Sequence, residues 1–118
     1  MQGLKISEHQ IQNTILELLK WRQLFYWRNN TGAVARSYTN KAGQTSHSFV
    51  RFGQKGLPDI LVVMPTGKLL GIEVKSATGK PSPDQLACQQ VFRETNAEYL
   101  IVRSSEEVND YLNHQLDA

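Results

Sequence analysis

The chain has a single cysteine, Cys88, among its 118 residues. One thiol excludes an intrachain disulfide and any cysteine-rich zinc site, and it fits a reducing compartment. Long apolar runs are also missing. The longest, Ile60 to Met64, is far short of the roughly 20 residues that a membrane span needs. The N-terminus carries no signal-peptide pattern. The expectation is a soluble cytoplasmic protein without a membrane partner. Repeats and low-complexity stretches are absent, and 40% apolar with 20% charged residues suits one globular domain over residues 1–118.

Acidic residues are missing from a long stretch, with none between Glu17 and Asp59. That interval holds Lys20, Arg22, Arg28, Arg36, Lys41, Arg51 and Lys55, seven of the thirteen basic residues, among the aromatics Tyr26, Trp27, Tyr38, Phe49 and Phe52. From Asp84 onward the balance reverses, with seven acids against Arg93 and Arg103. A formal net charge of +2 says little, but this segregation points to a face that meets a polyanion, most often nucleic acid. A hairpin with ordinary solvated lysines is the other reading of the same charges.

Ser7 to Gln10 has the form of a capping box, with Ile6 set to staple against Ile11, and predicts a helix from about Glu8 to Lys20. Ile11, Ile15, Leu18 and Leu19 form its stripe, and Glu8 falls within that stripe, so its carboxylate is expected to aim at the core. Leu24 to Arg28 reads as a strand. Val34 to Tyr38 and Ser46 to Phe52 flank the Asn40-Lys41-Ala42-Gly43 turn signal and predict a hairpin arm. Ile60 to Met64 and Leu69 to Lys75 read as buried strands at the sheet centre. Ser82-Pro83-Asp84-Gln85 caps a helix reaching about Thr95, with Cys88, Val91 and Phe92 toward the core. Glu98 to Arg103 is a strand, and Ser104 with Glu107 caps a final helix.

Pro58-Asp59 opens one central strand, and Glu73-Val74-Lys75 closes the next. Glu73 and Lys75, two apart, point to one face. Charges at the ends of the most apolar strands need a partner, because unpaired buried charge is costly and neighbouring carboxylates repel. A divalent cation would relieve both problems. The oxygens of Asp59 and Glu73 and the Val74 carbonyl suit Mg2+ or Mn2+. A salt-bridge cluster of Lys75 with Asp59 or Glu73 is the plainer alternative. For Asp59 to share a face with Glu73 in an antiparallel ladder, the two numbers must sum to an even value, as they do. The connecting loop should therefore contain an odd number of residues unless the ladder is bulged.

Glu8, Gly56-x-Pro58-Asp59-Ile60, Gly71-Ile72-Glu73-Val74-Lys75 and Ser82-x-x-Gln85 together resemble the VRR-NUC family of the PD-(D/E)xK nuclease superfamily. The likeness runs over roughly residues 6 to 104 and extends to the nuclease domain of the Fanconi-associated nuclease and to small phage and bacterial proteins. Val102-Arg103 matches the first two letters of the family's name motif, whereas Ser104 stands in place of the second arginine. The resemblance implies an α/β fold with a restriction-endonuclease-like αβββαβ core, a mixed central sheet flanked by helices. It further implies metal-dependent phosphodiester cleavage and, for stand-alone members, a homodimer like the Holliday junction resolvases.

On that resemblance Asp59, Glu73 and the Val74 carbonyl hold the metal, Glu8 joins through water or a second ion, and Lys75 positions water or stabilises phosphoryl charge. Gln85 either orients Lys75 or serves only as a cap. Arg36, Lys41, His47, Arg51 and Lys55 are the nucleic-acid contacts. His9 and His114 read as surface residues, Cys88 as packing, and Trp21 and Trp27 as core or interface anchors. Arg103 serves either DNA or a structural carboxylate. Leu86 and the strand Leu24 to Trp27 offer apolar surface for a dimer. The expected function is cleavage of branched or structured DNA. The alternatives are a flap or sequence-specific endonuclease of the same superfamily, and a catalytically silent DNA-binding module.

Overall fold

In a computed structural model the chain is described over residues 5–29, 32–52 and 55–116, with backbone alone at 32–36 and 47–52. The elements are α1 (Glu8–Trp21), β1 (Phe25–Arg28), β2 (Gly32–Thr39), β3 (Thr45–Phe52), β4 (Ile60–Val63), β5 (Leu69–Val74), α2 (Pro83–Arg93), β6 (Glu98–Val102) and α3 (Ser105–Leu116). Four strands form the central sheet in the order β1-β4-β5-β6, and β2 pairs with β3 in a separate ribbon. Without the ribbon, the core runs α1-β1-β4-β5-α2-β6, the expected αβββαβ, with α3 appended. β1, β4 and β5 are antiparallel neighbours, while β6 joins β5 in parallel. A parallel neighbour needs a long crossover, which α2 supplies.

Each helix start is written locally. Ser7 accepts the Gln10 backbone N–H while Gln10 Oε1 accepts the Ser7 N–H, and Ser82 and Gln85 repeat the arrangement at α2. Ser104 and Glu107 exchange the same pair of bonds ahead of α3. These boxes satisfy backbone donors that a bare helix end leaves orphaned.

The pleat sorts the sheet into two faces. Ile60, Val62, Leu70, Ile72, Val74 and Val102 point one way and pack with Ile11, Ile15 and Leu19 of α1 and Val108 and Leu112 of α3. Leu61 and Tyr99 point the other way, onto Phe92 of α2, with Cys88, Leu69 and Ile101 beside them. Edge-to-face contact between Phe92 and Tyr99, centroids 5.3 Å apart, closes that smaller cluster. α2 leaves part of its face open: Phe25, Trp27 and Val63 remain exposed, with Phe25 and Trp27 in edge-to-face contact.

Several expectations need correction. Glu8 is exposed rather than aimed at the core. It lies in the angular range of the stripe, but in the first turn, ahead of the buried Ile11, Gln12, Ile15 and Leu19. Ile6 is 61% exposed, so the staple onto Ile11 is not closed. Val91 is also exposed, one position too far around α2 to follow Phe92 inward. Trp21, at the last turn of α1, is 86% exposed and anchors nothing in the core. Leu86 is exposed as expected. No helix among the described residues is long and apolar enough to cross a membrane.

Candidate active site

Asp59 and Glu73 are brought together by the β4–β5 hairpin. Ile60 pairs with Ile72 and Val63 with Leu69, a register in which Asp59 lies directly opposite Glu73. The connecting segment, Met64 to Lys68, has five residues, the odd number that shared facing requires. Inside it, the Met64 N–H donates to the Lys68 carbonyl at 2.8 Å and the Gly67 N–H to the Met64 carbonyl at 2.7 Å.

Two glycines permit close packing of the segment that leads into Asp59. A Cβ on Gly71 would lie 2.6 Å from Pro58 Cγ and 3.1 Å from Phe92 Cε2, so the bare β5 backbone is what lets Pro58 lie flat on the sheet. Gly56 has φ +85, and a Cβ there would sit 2.2 Å from the Asp84 carbonyl oxygen at the start of α2. The Tyr99 hydroxyl donates to the Gly56 carbonyl at 2.8 Å and ties the same loop to β6. Tyr99 pairs with Gly71 in the β5–β6 ladder, so the ring covers the gap that the glycine leaves. Tyr99 was not singled out in the sequence; its place opposite Gly71 depends on parallel pairing, which no local pattern reveals.

The acid pair is tightly held. Val74 donates its N–H to Asp59 Oδ2 at 2.9 Å, and Asn29 donates its N–H to the Asp59 carbonyl at 2.8 Å. Glu73 is 3% exposed, and Lys75 Nζ lies 3.5 Å from its Oε2. Burial, and next the Asp59 carboxylate, push the Glu73 carboxyl up to about 8 from 4.5, while Lys75 pulls the other way. Tyr99 is pushed up by its own burial and then by Glu73.

Other candidates fall outside this group. Among the described residues no three His, Cys, Asp or Glu side chains gather as a metal-holding cluster, so Glu8 does not join Asp59 and Glu73. Gln85 spends its Oε1 on the Ser82 N–H and acts as a cap. Burial pushes the Cys88 thiol up, which suits packing rather than nucleophilic use. His9 and His114 are exposed. Among the described residues Arg103 meets no carboxylate with its guanidinium, which donates instead to the Ser76 and Gly79 carbonyls. Lys41 is exposed in the β2–β3 turn and Lys55 in the loop before Pro58. The side chains of Arg36, His47 and Arg51 lie outside the described residues; in the backbone, Arg36 pairs with Ser48, Ser37 with His47 and Ala33 with Arg51. Two clefts, of about 770 and 730 Å³, line the α1–α3 side, and neither includes Asp59, Glu73 or Lys75.

Two carboxylates on adjacent strand ends form a donor set of hard oxygens, with the Lys75 ammonium beside them. Mg2+ commonly binds through one or two carboxylates and keeps several waters, so the pair fits such an ion without a third acid. The family model of the VRR-NUC domain matches residues 6–106. The chain belongs to the VRR-NUC family. A solved VRR_NUC domain is similar in fold, with TM-score 0.57 and 24% identity over 92% of this chain and 98% of the other. "Putative nuclease p44" of Acyrthosiphon pisum secondary endosymbiont phage 1 is 42% identical over 50 residues, 42% of this chain. That match spans 54% of the relative's own length, about half of it. In the Gly-x-Pro-Asp and Gly-Ile-Glu-Val-Lys strings each glycine permits a close approach next to an acid: Gly56 to the start of α2, Gly71 to Pro58 and Phe92.

The raised Glu73 carboxyl sets a pH dependence. Folded, metal-free protein keeps this proton up to about pH 8, whereas the unfolded chain releases it near 4.5. Between those values the native state binds more protons, so stability falls as pH rises and levels off above about 8. Urea denaturation in chelator across that range should show this decline in wild type and a flatter profile in Glu73→Gln. Equal slopes in the two proteins would contradict the assignment.

Proposed function

We propose that this VRR-NUC domain is a divalent-metal-dependent DNA endonuclease that cuts branched DNA, resolving four-way junctions as a homodimer in the cytoplasm of a bacterial or phage-infected cell. The observation that carries the reading is the juxtaposition of Asp59 and Glu73 on one sheet face, with Lys75 Nζ 3.5 Å from Glu73. Three charges converging at the ends of apolar strands have no use in a core, and no carboxylate is missing as it would be in a silent binding module.

Asp59, Glu73 and the Val74 carbonyl would hold Mg2+ or Mn2+. Such an ion, when bound, polarises a phosphate and lowers the pKa of an attacking water. The chain's own residues do the rest. Val74 holds one Asp59 oxygen by its N–H and fixes the carboxylate plane. Lys75 offers positive charge to the phosphoryl oxygens, where charge grows during cleavage. Glu8 and Gln85 are left out of this set, the first exposed and ungrouped, the second committed to its cap.

The ribbon supplies the electrostatic part. It carries Arg36, Lys41, His47 and Arg51 within the acid-free segment, with Lys55 just beyond. A dimer is supported by the uncovered Phe25, Trp27 and Val63 and by Leu86 on the outer side of α2. One acid pair serves one strand, and two-fold symmetry presents it twice.

Four outcomes test the reading. With Mg2+ or Mn2+ and a panel of linear, flapped and four-way DNA, wild type should favour the four-way substrate. Asp59→Ala and Glu73→Ala should lose cleavage while retaining binding; activity in both variants would refute the site. Neutralising Arg36, Lys41 and Arg51 together should weaken binding to every sequence and shallow its salt dependence by up to about three units of slope. An unchanged slope would remove the ribbon from the interface. In sedimentation at micromolar concentration the protein should run as a dimer and Trp27→Asp as a monomer. A wild type that stays monomeric with four-way DNA would favour the flap-nuclease reading instead.

A further inference from the structure

Arg103 directly follows β6, and its hydrogen bonds go to none of the three charged residues. We infer that Arg103 is a positioning residue for Lys75, clamping the turn that follows it, and this rests on the nuclease reading above. The guanidinium donates through one nitrogen to the Ser76 carbonyl and, at 2.8 Å, to the Gly79 carbonyl. Those carbonyls bracket a turn that begins immediately after Lys75. The turn closes on itself through the Gly79 N–H, which donates to the Ser76 carbonyl at 3.2 Å and to Ser76 Oγ at 3.1 Å.

The turn in turn walls the lysine. A Cβ on Gly79 would lie 3.7 Å from Lys75 Cδ, so Gly79 sits beside the lysine stem. At its base, Lys75 is fixed by its N–H to the Val102 carbonyl at 2.9 Å, in the residue before Arg103. Arg103 is itself anchored: its N–H and that of Ser104 both donate to Glu107 Oε2 in the capping box of α3. A continuous path therefore runs from the α3 cap through Arg103 and the 76–79 turn to a lysine whose ammonium must reach Glu73. Lysine carries four flexible carbons, so the stem needs such a wall if its tip is to hold one place. A hydrogen bond from a charged donor is stronger than a neutral one, and a single arginine fixing two carbonyls is an economical way to rigidify a turn. The rival role is a direct contact between Arg103 and a DNA phosphate.

Arg103→Ala and Arg103→Gln separate the two. The glutamine keeps an N–H donor for a carbonyl but no charge for a phosphate. For a clamp, kcat on the preferred substrate should fall about 10- to 100-fold in Arg103→Ala, with a smaller fall in Arg103→Gln. DNA affinity and its salt slope, measured without divalent metal, should stay at the wild-type value in both. Amide exchange at Gly79 should quicken in Arg103→Ala whether or not any DNA is cut, so an inert wild type would refute the nuclease reading while leaving this one measurable. Gly79→Ala crowds Ser76 Oγ at 3.2 Å and disturbs the same turn without touching the arginine. Combined with Arg103→Ala it should cost less than the product of the separate losses. A salt slope lower by about one unit in both Arg103 variants, or Gly79 exchange at the wild-type rate, would overturn the clamp.

Discussion

Everything in this domain is arranged around the repulsion between two carboxyl groups. Asp59 and Glu73 face each other across a hairpin at the edge of a hydrophobic sheet, and burial alone would drive Glu73 to keep its proton. The fold holds them there from several sides. Val74 donates to one acid, Lys75 approaches the other, Pro58 rests on the bare backbone of Gly71, and Tyr99 ties down the loop that leads in. None of these contacts is strong singly. Together they fix two carboxyl groups side by side, one of them with a carboxyl pKa pushed up to about 8.

The layers make this possible by being unequal. α1 and α3 seal one sheet face with aliphatic side chains, giving the strands a firm back. On the other face, α2 covers β5 and β6 through Phe92 and Tyr99, and stops. The acids lie on this second face, which also carries the exposed aromatics of β1.

Local chemistry was the part most readable in the sequence. Ser7, Ser82 and Ser104 each announce a helix start, because a cap is made within four residues. The facing of Asp59 and Glu73 was equally legible, since alternation along strands turns residue numbers into sides of a sheet. Positions that depend on where an element ends against its neighbours were not. Glu8 lies on the angular stripe of α1, yet the helix begins before the core does. Trp21 and Val91 are large and apolar, and each is exposed because no other layer reaches it. Gln12, by contrast, is buried where a polar residue was not anticipated, and its Oε1 finds no partner among the described residues. The closeness of Gly56 to Asp84 and of Gly71 to Pro58 lies further still from local pattern, being contacts between segments that only the finished fold brings together.

The ribbon's place in the chain has one more consequence. It leaves the core after Asn29 and returns before Asp59, two residues joined by a 2.8 Å hydrogen bond in the continuing β1–β4 ladder. Its two stems are therefore a ladder rung, fixed by the sheet whatever lies between them. Closing a loop on such a rung costs only logarithmically more as the loop lengthens. The ribbon can thus be lengthened, shortened or exchanged without moving the acids beside its base, so the two parts of the domain are free to vary independently.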